Sequence, residues 1–177
     1  MRAGIHAQVA LSPLSIIPHN MSDKANKLAE KLTSEGERSL AFFRELPQDA
    51  WHKQVYSDGA AWTVRDIFEH LATAEHGMKR LCEQIIETGV GAAEDFDVDA
   101  FNKSRTRRFA NLSLDELAKL YADTRVRTVA YALTLSDEQL AKRGRHPAMG
   151  DSSIEGILKI IYLHNTMHIG DVKKVIG

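Results

Sequence analysis

Four stretches of the chain repeat apolar residues every three or four positions, and none alternates every two as a half-buried strand does. The first covers residues 22–46, with Ala25, Leu28, Ala29, Leu32, Leu40, Phe43 and Leu46 on one face; Ser22 is placed to cap it and Pro47 to stop it. A linker follows, holding Trp51, Tyr56 and the turn pair Asp58-Gly59. The second helix has Thr63 at its N-cap, Asp66 three residues on, and Trp62 positioned to staple onto Ile67. Val64, Ile67, Phe68, Leu71, Ala74, Met78, Leu81, Cys82, Ile85 and Ile86 form its stripe, and Gly89 ends it. Residues 89–112 read as a long connection with a short helix near 99–109. The third long helix starts at Ser113, where Glu116 completes a capping box, and runs to about Leu133. Ser136 and Gln139 predict a further short turn, and Arg145, His146, Pro147 and Gly150 a loop. A capping box of Ser152 with Glu155 then opens the fourth long helix, which reaches almost to Gly177.

Four amphipathic helices joined partly by long connections predict an all-α four-helix bundle. The connection between the second and third long helices can span the bundle, so simple up-down-up-down order is not required. Composition agrees: 44% of the 177 residues are apolar and 27% charged, which excludes collagen-like, low-complexity and disordered classes. A chain of this length buries roughly 70% of its unfolded surface and needs neither disulfide nor metal to hold a core. Residues 21–177 are expected to form one domain. Residues 1–20 imitate a signal peptide only faintly, because Gln8, Pro13, Pro18 and His19 interrupt the apolar run, and they read as a poorly ordered extension.

Charge removes two partner classes. Lys and Arg number 23 against 24 Asp and Glu, so no basic field draws in nucleic acid or an anionic membrane. No apolar stretch is long enough for a transmembrane helix. The single Cys82 has no intrachain partner for a disulfide, which suits a reducing, cytoplasmic setting.

Eight histidines are the unusual supply of reactive side chains. His164 and His168 form an H-x3-H pair, a spacing for which about 0.3 chance occurrences are expected in this composition. Helical geometry adds the context that spacing lacks. At 100° per residue both fall in the apolar arc of the fourth long helix with Ile154, Ile157, Ile161, Val172 and Val175, opposite Glu155, Lys159, Thr166 and Lys173. On the second helix the same construction puts His70 at the edge of the apolar arc and His76 on the polar side with Glu69 and Glu83. His70 lies about 9 Å into its helix and His168 about 12 Å from the end of its own, so the three imidazoles meet only if these helices run antiparallel. Such a trio either finds hydrogen-bond partners in water and backbone or shares a cation. Three neutral imidazoles suit Zn, Ni, Fe or Mn and leave coordination positions open for chemistry. Asp171, three residues after His168, is a candidate for orienting a ligand or serving as a base.

These residues also carry a resemblance. Trp62-Thr63-Val64-Arg65-Asp66 leading into Phe68-Glu69-His70-Leu71 resembles the second-helix signature of the DinB-like superfamily. Phe96, Asp97, Asp99, Phe101 and Asn102 resemble its F-D-x-D-x-F-N stretch. Arg145-His146-Pro147 with Gly150 resembles the loop before the last helix, and His164-x3-His168 with Ile169 and Val172 the terminal H-x3-H helix. The resemblance covers residues 22–177. It implies a four-helix bundle with a long crossover, commonly a homodimer, and one divalent metal, Ni or Zn foremost, on three histidines that map onto His70, His164 and His168. Relatives of this kind include S-transferases and isomerases that use a low-molecular-weight thiol. The resemblance therefore implies a metal-dependent enzyme that turns a thiol or water on a small electrophilic substrate, the alternative being a non-catalytic metal- or ligand-binding stress protein.

Other candidates read more simply. Cys82 sits mid-stripe as a core residue. Lys103, Arg105, Arg107 and Arg108 form a basic run suited to an anionic thiol or phosphate, or to a solvated linker face, the commoner case. Arg125 or Arg127 could pair with an acid if buried; Tyr121 and Tyr131 either reach the cavity as donors to a bound substrate or pack in the core, the favoured reading. A ferritin-like di-iron site needs Glu-x-x-His, which no histidine here has; Asp49-x-x-His52 is the nearest approach.

Overall fold

The computed structural model describes residues 22–57 and 61–177, without the side chains of residues 105–108. The extension read over residues 1–20 and the Asp58-Gly59 turn thus lie outside the described residues, as do the side chains of Arg105, Arg107 and Arg108 of the basic run. Four long helices stand where the apolar period puts them: α1 (Asp23–Arg44), α2 (Val64–Thr88), α4 (Leu114–Leu133) and α6 (Ile154–Ile176). The long connection holds α3 (Val98–Phe109), and α5 (Asp137–Ala141) follows α4.

The helix starts are chemically specified. Thr63 and Asp66 form a reciprocal capping box on α2, as do Ser113 and Glu116 on α4 and Ser136 and Gln139 on α5. Gly89 closes α2 in the left-handed conformation, φ +72°, donating its N–H to Ile85. The start of α6 differs by one residue from the sequence reading. Ser153 caps it, accepting from the Gly156 N–H, while Ser152 is committed to a strand and Glu155 pairs with Lys159.

That strand is a second correction. The loop expected around Arg145 to Gly150 is an antiparallel hairpin of β1 (Arg143–His146) and β2 (Gly150–Ser153), in register His146 opposite Gly150 and Arg143 opposite Ser153. Strands of four residues with one buried position each are too short to show alternation. The hairpin lies against the start of the crossover, where Ala92 donates its N–H to the Arg145 carbonyl. A Cβ on Gly91 would come within 2.1 Å of the Arg145 nitrogen, so the approach requires glycine there.

Two apolar clusters record the topology. One joins Leu28 and Leu32 of α1, Cys82 and Ile85 late in α2, Ala132 late in α4, and Ile154, Ile157 and Ile161 early in α6. The other joins Phe43 late in α1, Val64, Ile67 and Phe68 early in α2, Leu117 and Tyr121 early in α4, and Val172 late in α6. Helices α1 and α6 therefore point one way and α2 and α4 the other. Each of α1 and α2 packs on both α4 and α6. The chain leaves α2 at one end of the bundle and enters α4 at the other, so the crossover retraces its length with α3 against α2.

Between the two clusters lies a buried polar layer. Arg125 of α4 donates from Nε to both oxygens of Glu75 on α2, at 2.9 and 3.1 Å, and from Nη1 to the Leu32 carbonyl on α1 at 2.6 Å. Asn165 of α6 joins through the Tyr121 hydroxyl, its amide oriented to accept from Tyr121 and from Arg125 Nη2. One guanidinium thus ties together all four long helices at mid-height.

Candidate metal centre

Antiparallel α2 and α6 bring the early part of one beside the late part of the other, and His70, His164 and His168 meet there. Nε2 of His164 stands 3.1 Å from Nε2 of His70 and 2.9 Å from Nε2 of His168. One ligand atom from each of the three lies within 4.8 Å of the others, so the group could hold a metal ion. His70 and His168 are buried and His164 partly so. His76, which helical geometry places on the polar side, is exposed and outside the group.

The segment before α2 folds back over this cluster. Val55 and Tyr56 donate their N–H groups to the Trp62 carbonyl, and Gln54 bridges Thr63. Trp62 consequently lies over the cluster, its ring 4.6 Å from that of His70 and 6.3 Å from that of His168. Tyr56 donates its hydroxyl to Asp171 Oδ2 at 2.7 Å and stands 2.8 Å from His168 Nδ1. Lys174 donates to the other Asp171 oxygen at 2.8 Å. The sequence marks Tyr56 only as a linker residue and Trp62 as a helix staple; both belong to the cluster's surroundings.

This chain of bonds determines a tautomer. Lys174 and Tyr56 hold the Asp171 carboxyl below its ordinary range, so it is an ionised acceptor. Burial and that carboxylate push the Tyr56 hydroxyl up, so it keeps its one proton and gives it to Asp171. Tyr56 oxygen can then only accept from His168, which places the His168 proton on Nδ1 and a lone pair on Nε2.

Proton counting among the three rings then argues for a cation. Burial and the neighbouring imidazoles hold His70 well below its ordinary value, burial and His168 bring His164 to about 3, and burial lowers His168. All three are neutral near pH 7. His164 Nε2 has two imidazole neighbours, yet a neutral ring's Nε2 either donates one hydrogen or accepts, and His168 offers only a lone pair. One of the two contacts must therefore fail as a hydrogen bond. A cation satisfies three convergent lone pairs at once. Tetrahedral ligands about 2.0–2.1 Å from Zn stand roughly 3.3 Å apart, a few tenths of an ångström wider than the spacings here.

The cluster opens on a cleft of about 1170 Å³ between α2 and α6. Ala74, Met78 and Leu81, which the sequence stripe assigned to the core, line it, with Phe96, Leu163 and Met167 opposite. Helix α3 and the hairpin contribute Phe101, His146 and Met149. His146, which the sequence marks only as part of the Arg145-His146-Pro147 loop, is buried, and its Nδ1 accepts the Ala148 N–H.

The remaining candidates sort as core or surface. Cys82 is fully buried and its thiol is pushed up to about 12 by burial. Tyr121 is a core residue, and Tyr131 packs against the first cluster under Lys79. Arg125 does pair with an acid, Glu75, whereas Arg127 and Lys103 are exposed. Glu69 departs from its polar-side assignment: it is buried, with Oε1 unpartnered.

A family model described as the DinB superfamily matches residues 31–172. Among solved structures, YfiT from Bacillus subtilis aligns with a TM-score of 0.70 at 16% identity, covering 97% of this chain and 91% of that one. It is described as a probable metal-dependent hydrolase with an unusual four-helix bundle topology. An uncharacterized protein from Clostridium difficile 630 aligns with a TM-score of 0.62 at 15% identity, over 86% of this chain and 95% of that one. The DinB-like protein YjoA from Bacillus subtilis aligns with a TM-score of 0.52 at 18% identity, over 83% and 87% respectively. At these identities the likeness speaks for the fold. No curated protein matches the chain. Among the described residues no helix is long and apolar enough to cross a membrane.

Proposed function

The chain belongs to the DinB superfamily, and from that premise we propose that it is a divalent-metal-dependent enzyme whose ion is held by His70, His164 and His168. The observation that carries this reading is the convergence of three neutral Nε2 atoms, one with its lone pair dictated by Tyr56, on the wall of an apolar cleft. The metal dependence ascribed to YfiT, which shares the fold, supports it. When bound, the ion supplies a Lewis acid that lowers the pKa of a water or thiol and so provides a nucleophile at neutral pH.

The protein's own residues do the rest. His70 and His168 are buried, which keeps them neutral and able to ligate. Asp171 acts through Tyr56, orienting His168 rather than touching substrate. Trp62 closes one end of the cluster, and Met78, Leu81, Leu163 and Met167 give the cleft an apolar lining for a small electrophilic substrate. The reaction is transfer, isomerisation or hydrolysis with a thiol or water as nucleophile; nickel or zinc suits the all-nitrogen ligand set, and iron or manganese remains compatible. Homodimeric assembly and a cytoplasmic setting belong to the same reading, which rests there on the family resemblance and the lone cysteine. The open cleft beside the histidines favours catalysis over a purely metal-storing role.

The test is turnover of a panel of esters and alkylating electrophiles by zinc- or nickel-loaded protein, with and without a low-molecular-weight thiol. Activity abolished by His164→Ala, with the fold retained, is the expected result. A panel wholly unconverted by metal-loaded protein favours the non-catalytic alternative.

A further inference from the structure

His146 ends β1, beside the turn of the hairpin, and is 7% exposed. Its Nδ1 accepts the backbone N–H of Ala148 at 3.3 Å, so the ring's single proton sits on Nε2. Among the described residues Nε2–H makes no hydrogen bond, and it is not one of the buried polar atoms left without a partner. Its small exposure is to the cleft, whose wall it shares with His164. The two rings are close enough for a charge on His146 to disfavour one on His164. A donor that reaches the cleft with no protein partner is available to an acceptor bound there in place of water. Its neighbours in the turn, Pro147, Ala148 and Met149, carry no oxygen or nitrogen acceptor in their side chains.

We propose that His146 is a catalytic residue whose Nε2–H donates to a carbonyl-type oxygen of the substrate, which makes the substrate an ester, amide or related carbonyl compound with an apolar substituent lying along the cleft. This deepens the function proposed above and rests on it. The donor is fixed in advance by its own backbone bond and sits in a largely apolar wall, so it is preorganised to stabilise negative charge developing on an oxygen bound there. The nucleophile comes from the His70, His164 and His168 side, and the accepting oxygen faces the hairpin side. Burial lowers His146, so the ring is a neutral donor at neutral pH. The apolar substituent finds Met78, Leu81, Phe96, Leu163 and Met167, and the methionines allow the wall to adapt to its shape.

Octanohydroxamate is the probe: its head carries a carbonyl-type oxygen and a chelating group, and its chain is apolar. Titration calorimetry of zinc-loaded protein compares wild type, His146→Leu and His146→Gln, with zinc affinity and thermal stability measured on each. Loss of the donor is expected to weaken hydroxamate binding about tenfold to hundredfold in His146→Leu. His146→Gln, which keeps an N–H near the Nε2 position, is expected to recover most of it, with zinc affinity unchanged in both. In 15N-labelled wild type, the His146 ring is expected as the Nε2–H tautomer, its resonance moving when hydroxamate is added. Wild-type affinity in His146→Leu, or a His146 resonance indifferent to hydroxamate, overturns the assignment while leaving the metal reading intact. Failure of the wild type to bind zinc overturns both.

Discussion

Tyr56 and His168, 112 residues apart in the chain, meet with the hydroxyl 2.8 Å from Nδ1. Because the same hydroxyl donates to Asp171, a residue from the segment before α2 sets the tautomer of a histidine on α6. Tyr56→Phe removes the acceptor for Nδ1–H and frees the ring to place its proton on Nε2. Zinc affinity, measured by chelator competition, is expected to fall about 10–100-fold. In the metal-free protein 15N shifts should show Nδ1–H on His168 in wild type and a mixture in the variant. An unchanged tautomer in Tyr56→Phe would refute the relay.

The site was legible in outline because its three histidines lie on long helices, where a fixed angle per residue turns spacing into geometry. His70 was separable from His76 on that basis alone. Tyr56, Trp62 and His146 were not, since they sit in segments whose paths depend on tertiary contacts: the pairing of Gln54, Val55 and Tyr56 with Trp62 and Thr63, and the hairpin against the crossover. A period can place a residue on a helix face but cannot say which loop folds over it.

Glu69 shows the same limit from the other side, because helical phase puts it on the polar face and tertiary packing nonetheless buries it. Burial raises its carboxyl to about 7 from an ordinary 4.5, with Arg65 offsetting part of the effect. The folded state therefore keeps a proton that the unfolded chain releases. The contribution is fully present below about pH 4.5 and lost as pH rises through 7. Glu69→Gln cannot ionise, so its Tm should exceed that of wild type by more at pH 8 than at pH 5. Equal differences at both pH values would show that Glu69 is not buried as described.

The Arg125 layer predicts a reversal of the usual helix rule. Gly36→Ala in mid-helix ordinarily stabilises by about 0.5–1 kcal/mol. Here the new Cβ would stand 2.7 Å from Arg125 Nη1 and 2.9 Å from its Cγ. Glu75 and the Leu32 carbonyl hold that side chain in place. Gly36→Ala is therefore expected to destabilise by about 1–3 kcal/mol. Arg125→Met, which strands the Glu75 carboxylate in the core, should cost about 3–5 kcal/mol. Denaturant unfolding of both variants checks the order; a stabilising Gly36→Ala would mean the guanidinium is free to move aside.

The helices themselves were more legible than their arrangement. Thr63 with Asp66, Ser113 with Glu116 and Gly89 mark their ends by local chemistry. The direction of each helix is decided by distant packing, Phe43 on Phe68 at 4.4 Å and Val172 in the same cluster, which no local pattern reports. Crossover length hinted at the parallel α2 and α4 without requiring them. The hairpin leaves no trace in the sequence pattern, because four residues per strand, one of them Gly144 and several charged, carry no period.

Whether His70, His164 and His168 hold an ion is decided by elemental analysis of tag-free protein beside His168→Ala. About one divalent metal per chain in wild type, lost from a folded His168→Ala, is the expected result. Folded wild-type protein that remains metal-free after equilibration with Zn, Ni, Mn and Fe contradicts it, and would leave the three imidazoles as a buried polar cluster.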